Sequence, residues 1–152
     1  MDKIKLIREQ LDNKIIKLHG FEKVVVPPNG WIYTIRKAIN MSLRQLGKRL
    51  SITPQSVKEI EEREKNDTIS IKVLKQVASA LDMHFVYGFI PETKTLEAMI
   101  EKRAAELARQ IVERTSIHMS LEDQKVTDER IAKAINEKKI ELAREMPKIL
   151  WD

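Results

Sequence analysis

Ser42-Leu43-Arg44-Gln45-Leu46-Gly47-Lys48-Arg49-Leu50-Ser51-Ile52-Thr53-Pro54-Gln55-Ser56-Val57-Lys58-Glu59-Ile60-Glu61 is the stretch that decides the fold. Leu43, Leu46 and Leu50 recur at spacings of three and four, which places them on one face of a helix. Ser42 precedes them as a good N-cap, because its hydroxyl accepts from an orphan N–H of the first turn. A short break follows at Ser51-Ile52-Thr53. Thr53 opens a second helix, with Pro54 at its first position, where a missing N–H does no harm. Val57 and Ile60 face inward from it. Gly47 supplies a small residue where the two helices approach closely. Two short helices tied in this way form a helix-turn-helix, the unit whose second helix lies in a DNA major groove.

Working outward, a helix from about Trp31 to Ile39 precedes the pair. A fourth helix follows Ser70, with Val73, Leu74, Val77 and Leu81 on one face. Residues 84–90 read as a strand ending at Pro91, and Val24–Val26 is its one candidate partner, giving an expected small β ribbon. Residues 3–18 read as an amphipathic helix through Ile4, Ile7, Leu11, Ile15 and Leu18, followed by Gly20. The stretch Pro27-Pro28-Asn29-Gly30 reads as a linker or turn. Residues 95–114 and 128–146 read as two further helices, with 116–126 as their connection. The expected fold is therefore mainly α: a helix-turn-helix bundle with an N-terminal helix and a C-terminal helical extension. The expected divisions are 1–29, 30–91 and 92–152.

Charge supports a polyanion partner for the central part. Residues 1–90 hold 16 Lys and Arg against 10 Asp and Glu, whereas residues 91–152 hold 12 against 13. Between Lys23 and Lys58 there is no acidic residue, and the window carries Arg36, Lys37, Arg44, Lys48 and Arg49. A one-signed window beside a helix-turn-helix is the electrostatic footprint of nucleic-acid binding. The chain has no cysteine, so disulfides and thiolate metal sites are excluded. His19, His84 and His118 share no metal-ligand spacing, and neither a Gly-rich phosphate loop nor a nucleophile elbow is present. The cluster of Ser, His, Glu and Asp in 116–123 reads as a polar turn. No cofactor, no metal and no enzymatic activity are expected. The lack of a signal peptide and of a 20-residue apolar run points to a cytoplasmic protein without membrane attachment.

The central stretch resembles the phage-repressor (Xre/Cro) class. There an Arg of the first helix pairs with a Glu at the end of the recognition helix, and Arg36 and Glu61 occupy those positions. The expected DNA contacts are Arg44, Gln45, Thr53, Pro54, Gln55, Ser56, Lys58, Glu59, Arg63, Lys65 and Asn66. Gln55 lies where a bidentate amide contact to adenine is made. Pro54 offers only an apolar contact. Glu59 has two readings: an acceptor for a cytosine amino group, or a solvated charge. Arg44 and Gln45, near a helix N-terminus, suit phosphate, and Arg63, Lys65 and Asn66 follow the recognition helix.

The whole chain is similar to the mobile mystery protein A family. The similarity is carried by Gln10-Leu11-Asp12, Pro28-Asn29-Gly30-Trp31-Ile32, Ile35-Arg36 and Met41-Ser42. It continues in Glu61-Glu62-Arg63-Glu64, Ala80-Leu81, Phe85-Val86-Tyr87, Leu121-Glu122-Asp123-Gln124 and Leu150-Trp151-Asp152. The resemblance implies a helix-turn-helix regulator encoded beside a Fic-domain protein. It thus implies an antitoxin-like role, with repression of the shared operon and restraint of the Fic partner. The Ser/Thr-x-x-x-Glu-Gly/Asn motif of known Fic inhibition is absent, so restraint would use another surface, with the C-terminal helices and Trp151 as first candidates. Two functions compete. A homodimeric repressor reads two half-sites one helical turn apart; an interaction module binds the toxin and holds DNA only weakly.

Overall fold

The computed structural model describes residues 3–121 and 127–152, and of 118–121 the backbone alone. Seven α-helices are present among these residues: α1 (Lys3–Ile16), α2 (Trp31–Ala38), α3 (Leu43–Leu50), α4 (Pro54–Lys65), α5 (Ile71–Ala80), α6 (Leu96–Leu121) and α7 (Asp128–Glu145). Short 3-10 turns cover Phe21–Lys23 and Lys148–Trp151. The helices belong to two compact units, Gly20–Gly88 and a discontinuous one formed by Met1–His19 with Phe89–Asp152.

In the Gly20–Gly88 unit, four helices surround a core of Ile32, Leu46, Val57, Val77 and Leu81. Their starts follow directly from the sequence. Ser42, Thr53 and Ser70 each stand at an N-cap, and each hydroxyl accepts from the backbone N–H three residues on. Gly47 is fully enclosed, because a Cβ there would stand 2.7 Å from the Ile52 carbonyl oxygen. That clash is with backbone, which cannot swing aside, so the α3–α4 turn admits no side chain at this point.

In the discontinuous unit, α6 and α7 form an antiparallel pair. They enclose Ile100, Ala104, Leu107, Ala108 and Leu142, and Leu150 of the terminal turn completes the core. Arg103 of α6 donates to the carbonyls of Leu150 and Asp152, which fastens the chain's last turn to the helix. α1 packs at this same end of the pair, against the start of α6. The Asp12 carboxylate accepts from the Leu96 and Glu97 amides at 2.7 and 3.2 Å, and so caps the start of α6. Arg8 donates to Glu97 at 2.6 Å.

Two expectations are corrected. No strand occurs among the described residues, so the ribbon pairing 84–90 with Val24–Val26 is not formed. Val25 is 85% exposed and Val86 69%, so these segments lack the buried face that stabilises a lone ribbon. The helix expected to end at 114 instead continues to Leu121. No Gly or Pro interrupts it, and the Thr115 hydroxyl donates back to the Ile111 carbonyl, so the polar Thr115 is accommodated within the helix. Residues 122–126, with the remainder of the expected connection and most of the Leu-Glu-Asp-Gln piece, lie outside the described residues.

Gly47→Ala is expected to destabilise the Gly20–Gly88 unit by about 1–3 kcal/mol, the usual cost of forcing an extra methyl into a packed site. A urea unfolding curve followed by circular dichroism measures it. An unshifted midpoint would show that the α3–α4 turn tolerates a Cβ.

Candidate nucleic-acid interface

The recognition helix α4 is oriented by carboxylates on its own inner face. Glu61 is buried, and its two oxygens accept from Arg36 Nε at 2.7 Å and Nη2 at 3.0 Å, a fork-to-fork pair between α4 and α2. Arg36 Nη1 donates to the Met41 carbonyl at 2.9 Å, so the guanidinium also holds the α2–α3 connection. The hydrogen bonds that Arg36 donates to Glu61 keep its pKa above the ordinary value although burial pulls the other way. One turn later, Glu64 accepts from the Trp31 and Ile32 amides at 2.7 and 2.8 Å. It thereby caps the N-terminus of α2 from 33 residues away, where a carboxylate is favoured. Gly30 makes room for this cap. Its φ is +84°, and a Cβ there would stand 2.8 Å from the Glu64 carboxyl group.

With Val57, Ile60, Glu61 and Glu64 turned inward, helical periodicity fixes the outer face of α4. Gln55, Glu59 and Glu62 form its crest, and all three are exposed. Arg63 and Lys65, expected after the recognition helix, lie instead in its last turn, because the helix runs on to Lys65. Lys58 and Lys65 flank the crest on the α2 side, and Arg63 flanks it on the other. A helix with polar, hydrogen-bonding residues along its crest and cations on both shoulders matches a major groove, which has base edges at its floor and phosphates on both walls.

The remaining expected contacts divide by what their side chains already do. The Thr53 hydroxyl accepts from the Ser56 amide at 3.1 Å and donates to Ser56 Oγ at 2.9 Å, so both residues build the start of α4. Pro54 lies between them as the first helical residue, exposed. Gln45 completes a capping box on α3. Its Oε1 accepts from the Ser42 amide at 2.8 Å, which leaves its NH2 for an outside partner. Arg44 is exposed beside it. Asn66 ends α4 as the C-cap, exposed together with Lys65. Arg49 donates to the Ala80 carbonyl at 3.0 Å and so closes the end of α5.

Four residues that build or line this surface escaped the sequence reading. Glu62 shares the crest with Gln55 and Glu59, which the spacing 55, 59, 62 already allowed. Glu64 was hidden because its partners are distant in sequence. Asn29 and Tyr33 line a groove of about 310 Å³ with Leu43, Lys58, Glu62, Lys65 and the Arg36–Glu61 pair, an adjacency that appears only on folding. Tyr33 also carries Arg36 and Lys37 against its ring, at 5.5 and 6.0 Å from the centroid.

Among families of known proteins, a helix-turn-helix family matches residues 32–87. This span covers α2 to α5, and the chain carries an Xre/Cro-type helix-turn-helix domain there. Neither a curated protein nor a solved structure matches the chain. No described helix is long and apolar enough to cross a membrane.

Glu61→Gln leaves the buried Arg36 without its counter-charge and is expected to cost about 3–5 kcal/mol, whereas the double change Arg36→Met with Glu61→Leu recovers most of that loss. Thermal melts of the two variants test this, and equal destabilisation in both would show that the pair's charge balance is not what matters.

Proposed function

We propose that the chain is a sequence-specific DNA-binding transcriptional regulator that inserts α4 into the major groove. The observation that carries this reading is the outer face of α4: a Gln55-Glu59-Glu62 crest between cationic shoulders, within a domain that matches a helix-turn-helix family. On this reading Gln55 reads adenine, and Glu59 and Glu62 accept from cytosine amino groups, so the operator half-site combines A·T and G·C pairs. Arg44, Lys58, Arg63 and Lys65 meet phosphates, and Gln45 and Asn66 add neutral donors there. Thr53, Pro54 and Ser56 lie at the α4 N-terminus, beside the bases. The protein acts as a homodimer on two half-sites about one helical turn apart, and it is a binding protein rather than an enzyme.

The finer biological reading rests on the family resemblance. It makes the chain a cytoplasmic, antitoxin-like autorepressor of an operon that also encodes a Fic-domain partner. A second reading, an interaction module that mainly restrains that partner, is favoured by one observation. The discontinuous helical unit leaves Ile117, Ile140, Ile149 and Trp151 more than half exposed, apolar side chains that a partner could cover.

Fluorescence anisotropy on the chain's own upstream DNA and on a scrambled duplex, at two salt concentrations, tests the leading reading. Preference for the upstream duplex that survives the higher salt is the expected result. Equal, salt-sensitive binding to both duplexes would remove the claim of sequence specificity. Changing Arg44, Lys58 and Lys65 together to Ala is expected to lower the slope of log affinity against log salt by about 3. Gln55→Ala is expected to reduce the preference by about 1–3 kcal/mol at one base step while nonspecific affinity holds.

A further inference from the structure

We infer that the groove between α2 and α4 is a seat for a single DNA backbone phosphate, and that Asn29 and Tyr33 belong to the DNA-binding surface. The inference rests on the proposed insertion of α4 and adds residues to it. The groove lies on the Lys58–Lys65 shoulder of the recognition helix, where a major-groove wall would pass. Its charged lining comprises Arg36, Lys58 and Lys65 against Glu61 and Glu62, a net of one positive charge. Arg36 and Glu61 neutralise each other at 2.7 Å, so the surplus falls on the two lysines. One phosphodiester carries one negative charge, which the groove matches. The Tyr33 phenol and the Asn29 amide add neutral donors, and both groups hydrogen-bond phosphate oxygens.

The geometry also explains why the seat would be held in position. Tyr33 is part of α2, the helix that Glu61 and Glu64 clamp to α4 through Arg36 and the Trp31 and Ile32 amides. Asn29 immediately precedes Gly30, the residue that admits the Glu64 cap. The two neutral donors and the two lysines are therefore carried by elements locked to each other. A phosphate seated among them fixes how far α4 enters the groove, and contributes equally on any sequence.

Anisotropy titrations with the full chain test this, on the upstream and scrambled duplexes and across a salt series. Tyr33→Phe, which keeps the ring against Arg36, is expected to weaken both duplexes about tenfold, the effect of removing a hydrogen bond to a charged group. Asn29→Ala is expected to weaken both as well. Lys65→Ala is expected to lower the salt slope by about 1, while Tyr33→Phe leaves the slope unchanged. Circular dichroism melts matching the parent identify folded variants, and Tyr33→Phe retains the most native packing of the three. If the parent chain binds DNA and neither Tyr33→Phe nor Asn29→Ala alters affinity, the seat is overturned, even where Lys65→Ala acts, because Lys65 is then an isolated surface contact. A parent chain that binds neither duplex overturns the proposed function and the seat with it.

Discussion

The buried pair of Arg36 and Glu61 sets the geometry on which the outer face of α4 depends. Taking two charges out of water costs free energy that their attraction barely repays, and apolar residues of similar volume often stabilise as well or better. What the pair adds is direction. A guanidinium fork meeting a carboxylate in two hydrogen bonds fixes both the distance and the rotation of α4 about its own axis. An apolar contact is non-directional and would hold that rotation less strictly. A change in that rotation would replace the Gln55-Glu59-Glu62 crest by one of its shoulders and, on the proposed function, turn the residues assigned to base reading toward phosphate.

Glu64 acts one turn further along the same helix and in the same sense. Its two hydrogen bonds to the start of α2 satisfy amides that would otherwise face solvent, and they tie the C-terminal half of α4 to the helix beside it. With Glu61 in the middle and Glu64 near the end, the inner face of α4 is held at two points. The outer face then carries two carboxylates of its own, Glu59 and Glu62. On the proposed function, carboxylates facing a polyanion lower nonspecific affinity, so their placement at the crest, between cationic shoulders, favours discrimination over attraction. The charge of the chain is distributed accordingly. Gly20–Gly88 holds 11 Lys and Arg against 7 Asp and Glu, leaving the rest of the chain close to neutral.

The helices and their starting points were legible in the sequence because their signals are local. Ser42, Thr53 and Ser70 act within three residues of themselves, and Gly47 sits inside the motif that needs it. The Arg36–Glu61 pair was legible through resemblance to the phage-repressor class. What the sequence concealed are long-range uses of ordinary polar residues. Glu64 looks like a solvated charge at the end of a helix, and Asp12 like one on an amphipathic surface, yet each caps a helix that starts 32 or more residues away. The β-branched segment 24–26 and residues 84–90 misled in the opposite way. Their composition favours strands, but a strand needs a partner and a buried face, and neither is encoded within the segment.

The discontinuity of the second unit bears on how the two parts of the chain can work. The helix-turn-helix unit interrupts the other unit in sequence, between α1 and α6. The start of α6 takes its cap from Asp12 and its ion pair from Arg8, both in α1. A fragment beginning at residue 92 would lose both, leaving the first turn of α6 uncapped and Glu97 without Arg8. Sequence order alone makes the C-terminal helices look like an appendage that can be removed and studied separately. The hydrogen bonds say otherwise. A fragment that keeps the native start of α6 therefore includes α1, joined to it either by the helix-turn-helix sequence between them or by a linker that lets α1 reach α6.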